Sequence, residues 1–399
     1  MTAQDHALTF PQGFLWGAAT SAHQVEGNNV NSNWWVRENA AQPDVRDRSG
    51  DAADSFHRYE EDIALLASLG LTSYRFSIEW SRIEPAPGHF SLAMREHYAR
   101  MIGSCARHGL TPVVTLHHFT NPIWFSQLGG WEAPDAASHF ERYVAFVAPI
   151  LQDVPWVCTI NEPNLLAGAP DDPATGAALA SLEAPSPRAT ANLISAHEAA
   201  RRVLHSDTSA QTGWSIAAQA YHAASGAEEE MLAYRYPRED LFLEAARSDD
   251  FVGVQAYLRT FIGKQGPLPV AEDAETTQMG WEYFPQALGI AVRHAHAITG
   301  RPLLVTENGM ATADDNRRID YTFEALTALH EAMASGADVR GYLHWSALDN
   351  YEWGSNLPTF GLIAVDPETF ARQAKPSAHW LGQVARTGQL QRPLSVSTV

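Results

Sequence analysis

"VCTINEPN", Val157 to Asn164, is the stretch on which the fold turns. Val157–Ile160 reads as a short buried strand rich in β-branched residues. Asn161, the acid Glu162 and Pro163 follow, and proline cannot continue a central strand. A buried strand that ends on a carboxylate is costly unless the charge is paired. A second segment repeats the design. In "PLLVTENGM", Pro302 to Met310, the run Leu303–Thr306 leads into Glu307, Asn308 and the turn residue Gly309. Two strands of one plan, each ending on a glutamate, call for a fold in which strand ends converge.

Working outward, such strands recur. They lie near Phe14–Ala18, Tyr74–Ile78, Pro112–Leu116, Trp156–Ile160, Thr212–Ala217, Phe251–Tyr257, Pro302–Thr306 and Gly341–Trp345, and a helical pattern follows each. Between the first two, Phe56, Tyr59, Ile63, Leu66 and Leu69 are spaced for one helix face, closed by Gly70. Apolar strands alternating with amphipathic helices indicate a parallel sheet. Eight such units predict an α/β fold, a (β/α)₈ TIM barrel forming one domain over residues 1–399, with the eighth strand closing on the first. An open doubly wound sheet is the alternative, but no glycine fingerprint for a dinucleotide supports it. In a barrel, the C-terminal strand ends share one face. Glu162 on the fourth strand and Glu307 on the seventh would then face each other across a pocket.

Composition narrows the partners. The chain has 399 residues, 45% of them hydrophobic, enough for a sizeable core. A formal net charge of −19 disfavours the phosphate backbone of nucleic acids. No apolar run approaches the ~18 residues of a membrane span. Met1–Leu8 lacks the pattern of a secretory signal, so the expected location is cytoplasmic. Cys105 and Cys158 read as small buried hydrophobes and not as a disulfide framework. No cofactor is expected, and the composition sets no oligomeric state. Ala169–Thr190, rich in Pro, Ala, Asp and Ser, is long for a connection. It reads as a loop over a site or as a surface excursion.

The pair of glutamates suits glycoside hydrolysis. One carboxyl must protonate the leaving oxygen while the other attacks, or activates water, from the opposite face of the sugar. The acid needs a raised pKa, and the nucleophile must stay ionised. A cation is available in "YRFSIEWSRIEP", which places Arg75 inside a hydrophobic strand. Pointing inward, it would hold Glu307 charged; a structural pair with Glu79 is the other reading. Arg82 is assigned to structure. His117 and His118 read as adjacent strand residues, which point to opposite faces, so no metal is assigned to them.

Six separated motifs stand in one order: "FLWGAATSAHQVEG", "YRFSIEWSRIEP", "LHHFTNP", "TINEP", "TENG" and "HWSALDNYEW". Together they resemble glycoside hydrolase family 1, the retaining β-glycosidases, over nearly the whole chain. The resemblance implies Glu162 as acid/base and Glu307 as nucleophile, with Arg75 and Tyr257 around it. It implies Asn161 at the sugar 2-hydroxyl, Gln24 at the 3- and 4-hydroxyls and His118 at the 3-hydroxyl. Trp345 would be the aromatic floor, Glu352 the carboxylate for the 4- and 6-hydroxyls, and Trp353 a second indole. A sugar's hydroxyl rim and apolar face call for such groups on general grounds. The implied substrate is a small β-glycoside, a β-glucoside with β-galactosides or β-fucosides as further candidates. A transglycosidase using the same glutamates is the alternative; a binding protein that has lost catalysis is disfavoured because both glutamates are present. The chain departs from the family pattern at Phe119, where an indole is usual, and at Gln255 and Ala256, where an asparagine and an aromatic are usual. After Glu352 and Trp353 come Gly354, Ser355, Asn356 and Leu357, with no lysine to hold a sugar phosphate.

Overall fold

The strands and helices alternate as the sequence predicts. The computed structural model describes residues 7–168 and 184–392. Eight strands, β1 (Leu15–Ala19), β2 (Ser73–Ser77), β3 (Thr111–Thr115), β4 (Trp156–Asn161), β5 (Gln211–Ala217), β6 (Val252–Gln255), β7 (Leu303–Asn308) and β8 (Val339–Trp345), form a closed barrel. All pairs are parallel, and neighbours follow chain order. β8 closes on β1, with Gly341 beside Leu15 and Trp345 beside Ala19. This is a TIM barrel, the architecture that eight β–α units dictate.

The principal helices around it are α1 (Ser55–Leu69), α2 (Leu92–Arg107), α3 (Ala136–Val147), α4 (Pro187–Asp207), α5 (Glu228–Arg235), α6 (Ala287–Thr299), α7 (Asp315–Ala334) and α8 (Pro376–Thr387). In α1, Ile63, Leu66 and Leu69 are buried, and Phe56 and Tyr59 are half-buried on the same side. Gly70 ends the helix at φ +97°, a left-handed conformation that its missing Cβ permits.

Two of the three apolar clusters among the described residues build the body of the barrel. The larger lies between strands and helices. A smaller cluster of Val113, Cys158, Phe251, Leu304 and Leu343, with Leu15 and Trp156 against it, fills the lower barrel interior. Above it, the interior turns polar. Arg75, Thr115, Asn161, Gln255 and Glu307 are all buried on the strands. The barrel is therefore solid below and polar in its upper interior, beneath a further apolar cluster at the C-terminal mouth that joins Ala19, Ala311, Trp345 and Phe360.

Both cysteines are buried and unbridged. Among the described residues, no helix is long and apolar enough to cross a membrane. Of the expected loop Ala169–Thr190, residues 169–183 lie outside the described residues. Its end is corrected: α4 begins at Pro187, and the Ser186 hydroxyl caps the Ala189 N–H. Ser186 and Pro187, part of the composition that read as a loop, make a helix start, since proline's missing N–H costs nothing in the first turn.

Candidate active site

Glu162 stands one residue past the end of β4. Asn161 N–H donates to the His117 carbonyl at 2.8 Å, and Glu162 N–H donates to the Ser215 carbonyl at 2.7 Å. The Glu162 carbonyl accepts from Leu165 and Leu166, in the first turn of the helix Pro163–Gly168. Pro163 thus opens a helix as it closes a strand. The turn sets Glu162 at φ +45°, a region a non-glycine residue seldom adopts. Phe119 (φ +66°) and Trp353 (φ +39°) share this feature and line the same cavity. Such outliers concentrate where a fold holds side chains in a required place.

Glu307 lies inside β7, and Asn308 secures that strand end. Its amide donates to the Ala256 carbonyl at 2.6 Å, and the Tyr342 hydroxyl donates to its carbonyl at 3.2 Å. The chain then passes the Trp345 carbonyl so closely that any Cβ at Gly309 would clash with it. Glycine after "TEN" is a steric requirement of the β7–β8 exit.

The two glutamates line one cavity at the barrel mouth, with His118, Phe119, Leu165, Tyr257, Trp281, Trp345, Glu352, Trp353 and Phe360. Glu307 is tightly held. Arg75 Nη1 donates to its Oε1 at 2.5 Å and the Tyr257 hydroxyl to its Oε2 at 2.7 Å. Arg75 Nη2 donates to Asn161 Oδ1 at 2.5 Å and Nε to Thr115 Oγ1 at 3.0 Å. Arg75 is fully buried, so this fork fixes both Glu307 and Asn161. Glu79 instead accepts from Ser81 and Thr120, which sets aside its pairing with Arg75. Arg82 serves structure, paired to Glu26 at 2.8 Å.

Gln255, the longer amide, donates to Asn161 Oδ1 at 2.9 Å. With Oδ1 occupied by two donors, Asn161 Nδ2 is buried without a partner among the described residues. It is a donor available to a bound hydroxyl. Gln24 does not line the cavity. It is fully buried behind Glu352 and donates to Glu352 Oε2 at 3.1 Å, while Ser21 donates to its Oε1 at 2.7 Å. The His118 ring lies near-parallel to Trp345, centroids 5.9 Å apart, and to Trp353 at 6.4 Å. Trp353 stacks on buried His23 at 5.8 Å and meets Phe119 edge-on at 5.2 Å.

The electrostatics separate the glutamates. Burial raises the pKa of Glu162 well above its ordinary value, and the Glu307 and Glu352 charges raise it further against Arg75. Burial also raises Glu307, but Arg75, Tyr257 and Gln255 all oppose the rise. Among the described residues, the Glu162 side chain makes no hydrogen bond. Of the coupled pair, Glu307 is therefore the group that ionises first. Burial pushes Glu352 up to about 8, aided by Glu307 and opposed by Trp345 and Gln24. Burial and Arg75 hold His118 well below 6.5, as a neutral imidazole.

His117 and His118 lie beyond β3, so strand alternation does not govern them. They still diverge: His117 Nε2 bonds Asn121 at 2.8 Å, and His118 enters the cavity. Leu165, Trp281 and Phe360 were not foreseen. Each comes from outside the barrel strands; a tryptophan in the polar run "TTQMGWEYF" was the one available signal.

This site can be set against known proteins. The model for glycosyl hydrolase family 1 matches residues 6–233 and 262–389. The chain belongs to that family. It is a glycoside hydrolase acting on O-glycosyl bonds. It is 32% identical to thermostable beta-glucosidase B of Thermobispora bispora, over 96% of this chain and 92% of that one. It is 30% identical to a bifunctional beta-D-glucosidase/beta-D-fucosidase of Bifidobacterium breve, over 94% and 97%. Among solved structures, beta-glycosidase BGL167 superposes with a TM-score of 0.87 at 44% identity, covering 94% of this chain and 97% of that one.

Proposed function

We propose that this family 1 hydrolase is a retaining exo-β-glycosidase. Its substrates are unphosphorylated β-D-glucosides, with β-galactosides or β-fucosides also accepted. The reading takes residues 1–399 as one catalytic domain. The observation that carries it is the unequal company of the two glutamates. Glu307 has a guanidinium and a phenol on its two oxygens; Glu162, as buried, has neither among the described residues.

The chemistry follows from that inequality. Ionised Glu307 attacks the anomeric carbon, the glycosidic C–O bond breaks, and its electron pair stays on the leaving oxygen. Protonated Glu162 gives that oxygen its proton. Glu162, now a base, takes a proton from water as the water oxygen attacks the same carbon, and Glu307 leaves as carboxylate. Two inversions return the original configuration. The scheme requires carboxyl groups about 5–5.5 Å apart. The Asn161 amide suits the 2-hydroxyl, where a hydrogen bond strengthens in the transition state. Glu352, His118 and the indole of Trp345 suit the remaining rim and the apolar face, and Gln24 braces Glu352.

The glucoside assignment is supported by the names of the relatives. The preference for unphosphorylated sugars is supported by the cavity wall, where no lysine or arginine lines the cavity among the described residues and Glu352 would repel a dianion. Proton NMR of an aryl β-glucoside during hydrolysis tests the mechanism. The β-hemiacetal should appear first and mutarotate later; first formation of the α-anomer would refute retention.

A further inference from the structure

Between barrel units five and six, away from the cavity, lies a group of ligating side chains with no role in the reaction above. The helical segment after β5 continues from α5 into a π-type turn, Tyr236–Asp240, whose last two residues are Glu239 and Asp240. His294, on α6, reaches this turn. Its Nε2 is 2.7 Å from Asp240 Oδ1 and 3.8 Å from Glu239 Oε1, and the three ligating atoms lie within 4.8 Å of one another.

Each carboxylate is oriented by a bond on its other oxygen. Gln219 N–H donates to Glu239 Oε2 at 3.0 Å, and Arg235 Nε donates to Asp240 Oδ2 at 3.1 Å. The remaining oxygens turn toward the imidazole. Glu239 is fully buried, yet its Oε1 has no hydrogen-bond partner among the described residues. A buried carboxylate oxygen left without a partner is expensive. His294 can offer one N–H, and Asp240 takes it at the shorter distance. A divalent cation would satisfy both carboxylates and the imidazole lone pair at once.

We propose that Glu239, Asp240 and His294 form a binding site for a divalent transition-metal ion. One imidazole nitrogen and two carboxylate oxygens are a donor set suited to Zn²⁺, whose ligand bonds run about 2.0–2.2 Å. Magnesium prefers oxygen donors and its own water. The bonds from Gln219 and Arg235 have the form of outer-shell contacts that orient ligating carboxylates. The His294 side chain is 22% exposed, which leaves a path for the ion and a position for water. The ion would clamp the turn after α5 to α6. That turn also touches the strand-four region, because the Asn164 amide, two residues after Glu162, donates to the Arg238 carbonyl at 2.8 Å.

Thermal unfolding and isothermal titration of the full chain, dialysed against EDTA and held at pH 7.5, test the site with ZnCl₂. The expected result is one bound ion per chain and a Tm rise of roughly 3 °C at a hundredfold excess over Kd. The rise should vanish in His294→Ala and in Glu239→Gln. Use of two variants guards against one that fails to fold. MgCl₂ should give no comparable rise. Absence of a Zn²⁺ effect in the unmutated chain would overturn the proposal, as would an effect that survives both substitutions or is matched by Mg²⁺.

Discussion

The ends of β4 and β7 are built from nearly the same letters, "TINEP" and "TENG", and they deliver glutamates to one cavity in opposite conditions. At β7, the carboxylate remains within the strand and meets Arg75 and Tyr257. At β4, it lies one residue past the strand, at a positive φ, with no hydrogen bond to its side chain among the described residues. Burial raises both pKa values, but only one is opposed by donors attached to the carboxylate itself. The difference teaches that local sequence decides where a carboxylate stands, while residues far away in the chain decide its charge. Arg75 lies on β2, Tyr257 just past β6 and Thr115 on β3.

This contrast can be broken from either side. The largest effect is expected for Glu307→Gly, which removes the nucleophile; hydrolysis of an aryl β-glucoside should fall by roughly 10⁴–10⁶-fold. Activity near that of the unmutated chain would exclude Glu307. Glu162→Ala comes next. The loss should be roughly 10²–10⁴-fold on alkyl glycosides with poor leaving groups and far smaller on a nitrophenyl glycoside. The alkaline limb of the kcat/KM–pH profile should also disappear, because that limb reports loss of the Glu162 proton. Equal losses on both substrates would contradict an acid role.

Tyr257→Phe sharpens the comparison, since it removes one donor from Glu307 alone. A hydrogen bond to a charged group is worth about 1.5–3 kcal/mol, so a loss of roughly 10- to 100-fold is expected. The lost donor leaves Glu307 harder to ionise. Activity requires its ionised form, so the acid limb of the pH profile should move to higher pH while the alkaline limb stays in place. A shift to lower pH would contradict the account. Gln255→Leu, similar in volume, should have the smallest effect: a loss of a few-fold with an acid-limb shift in the same direction. Kinetics on one substrate across pH measure both variants.

Much of this architecture was legible in the residues. The barrel showed because apolar strands and amphipathic helices carry periods that short windows reveal, and both glutamates showed because each interrupts such a strand. Arg75 was legible for a related reason, as a guanidinium inside an apolar run needs an acid. Trp281 and Phe360 were not, because they stand on connections whose paths follow no period, and Leu165 was not, because its helix of 6 residues is too short to show one. Gln24 was found, but its bond to Glu352 joins the first strand region to the last and has no local signal. The helix start at Pro187 was hidden by composition that suits loops and helix caps alike. Glu239, Asp240 and His294 were unreadable as a group, since an adjacent acid pair and a distant histidine lack the short spacing by which metal motifs announce themselves.

The most direct test of the central claim is to trap the covalent intermediate. A 2-deoxy-2-fluoro β-glucoside with a good leaving group slows release from the enzyme more than attachment to it. Peptide mass spectrometry after incubation should find one fluoroglucosyl unit per chain, on the peptide containing Glu307. A label on the Glu162 peptide would reverse the roles, and steady turnover of that substrate with no covalent adduct would contradict the double displacement.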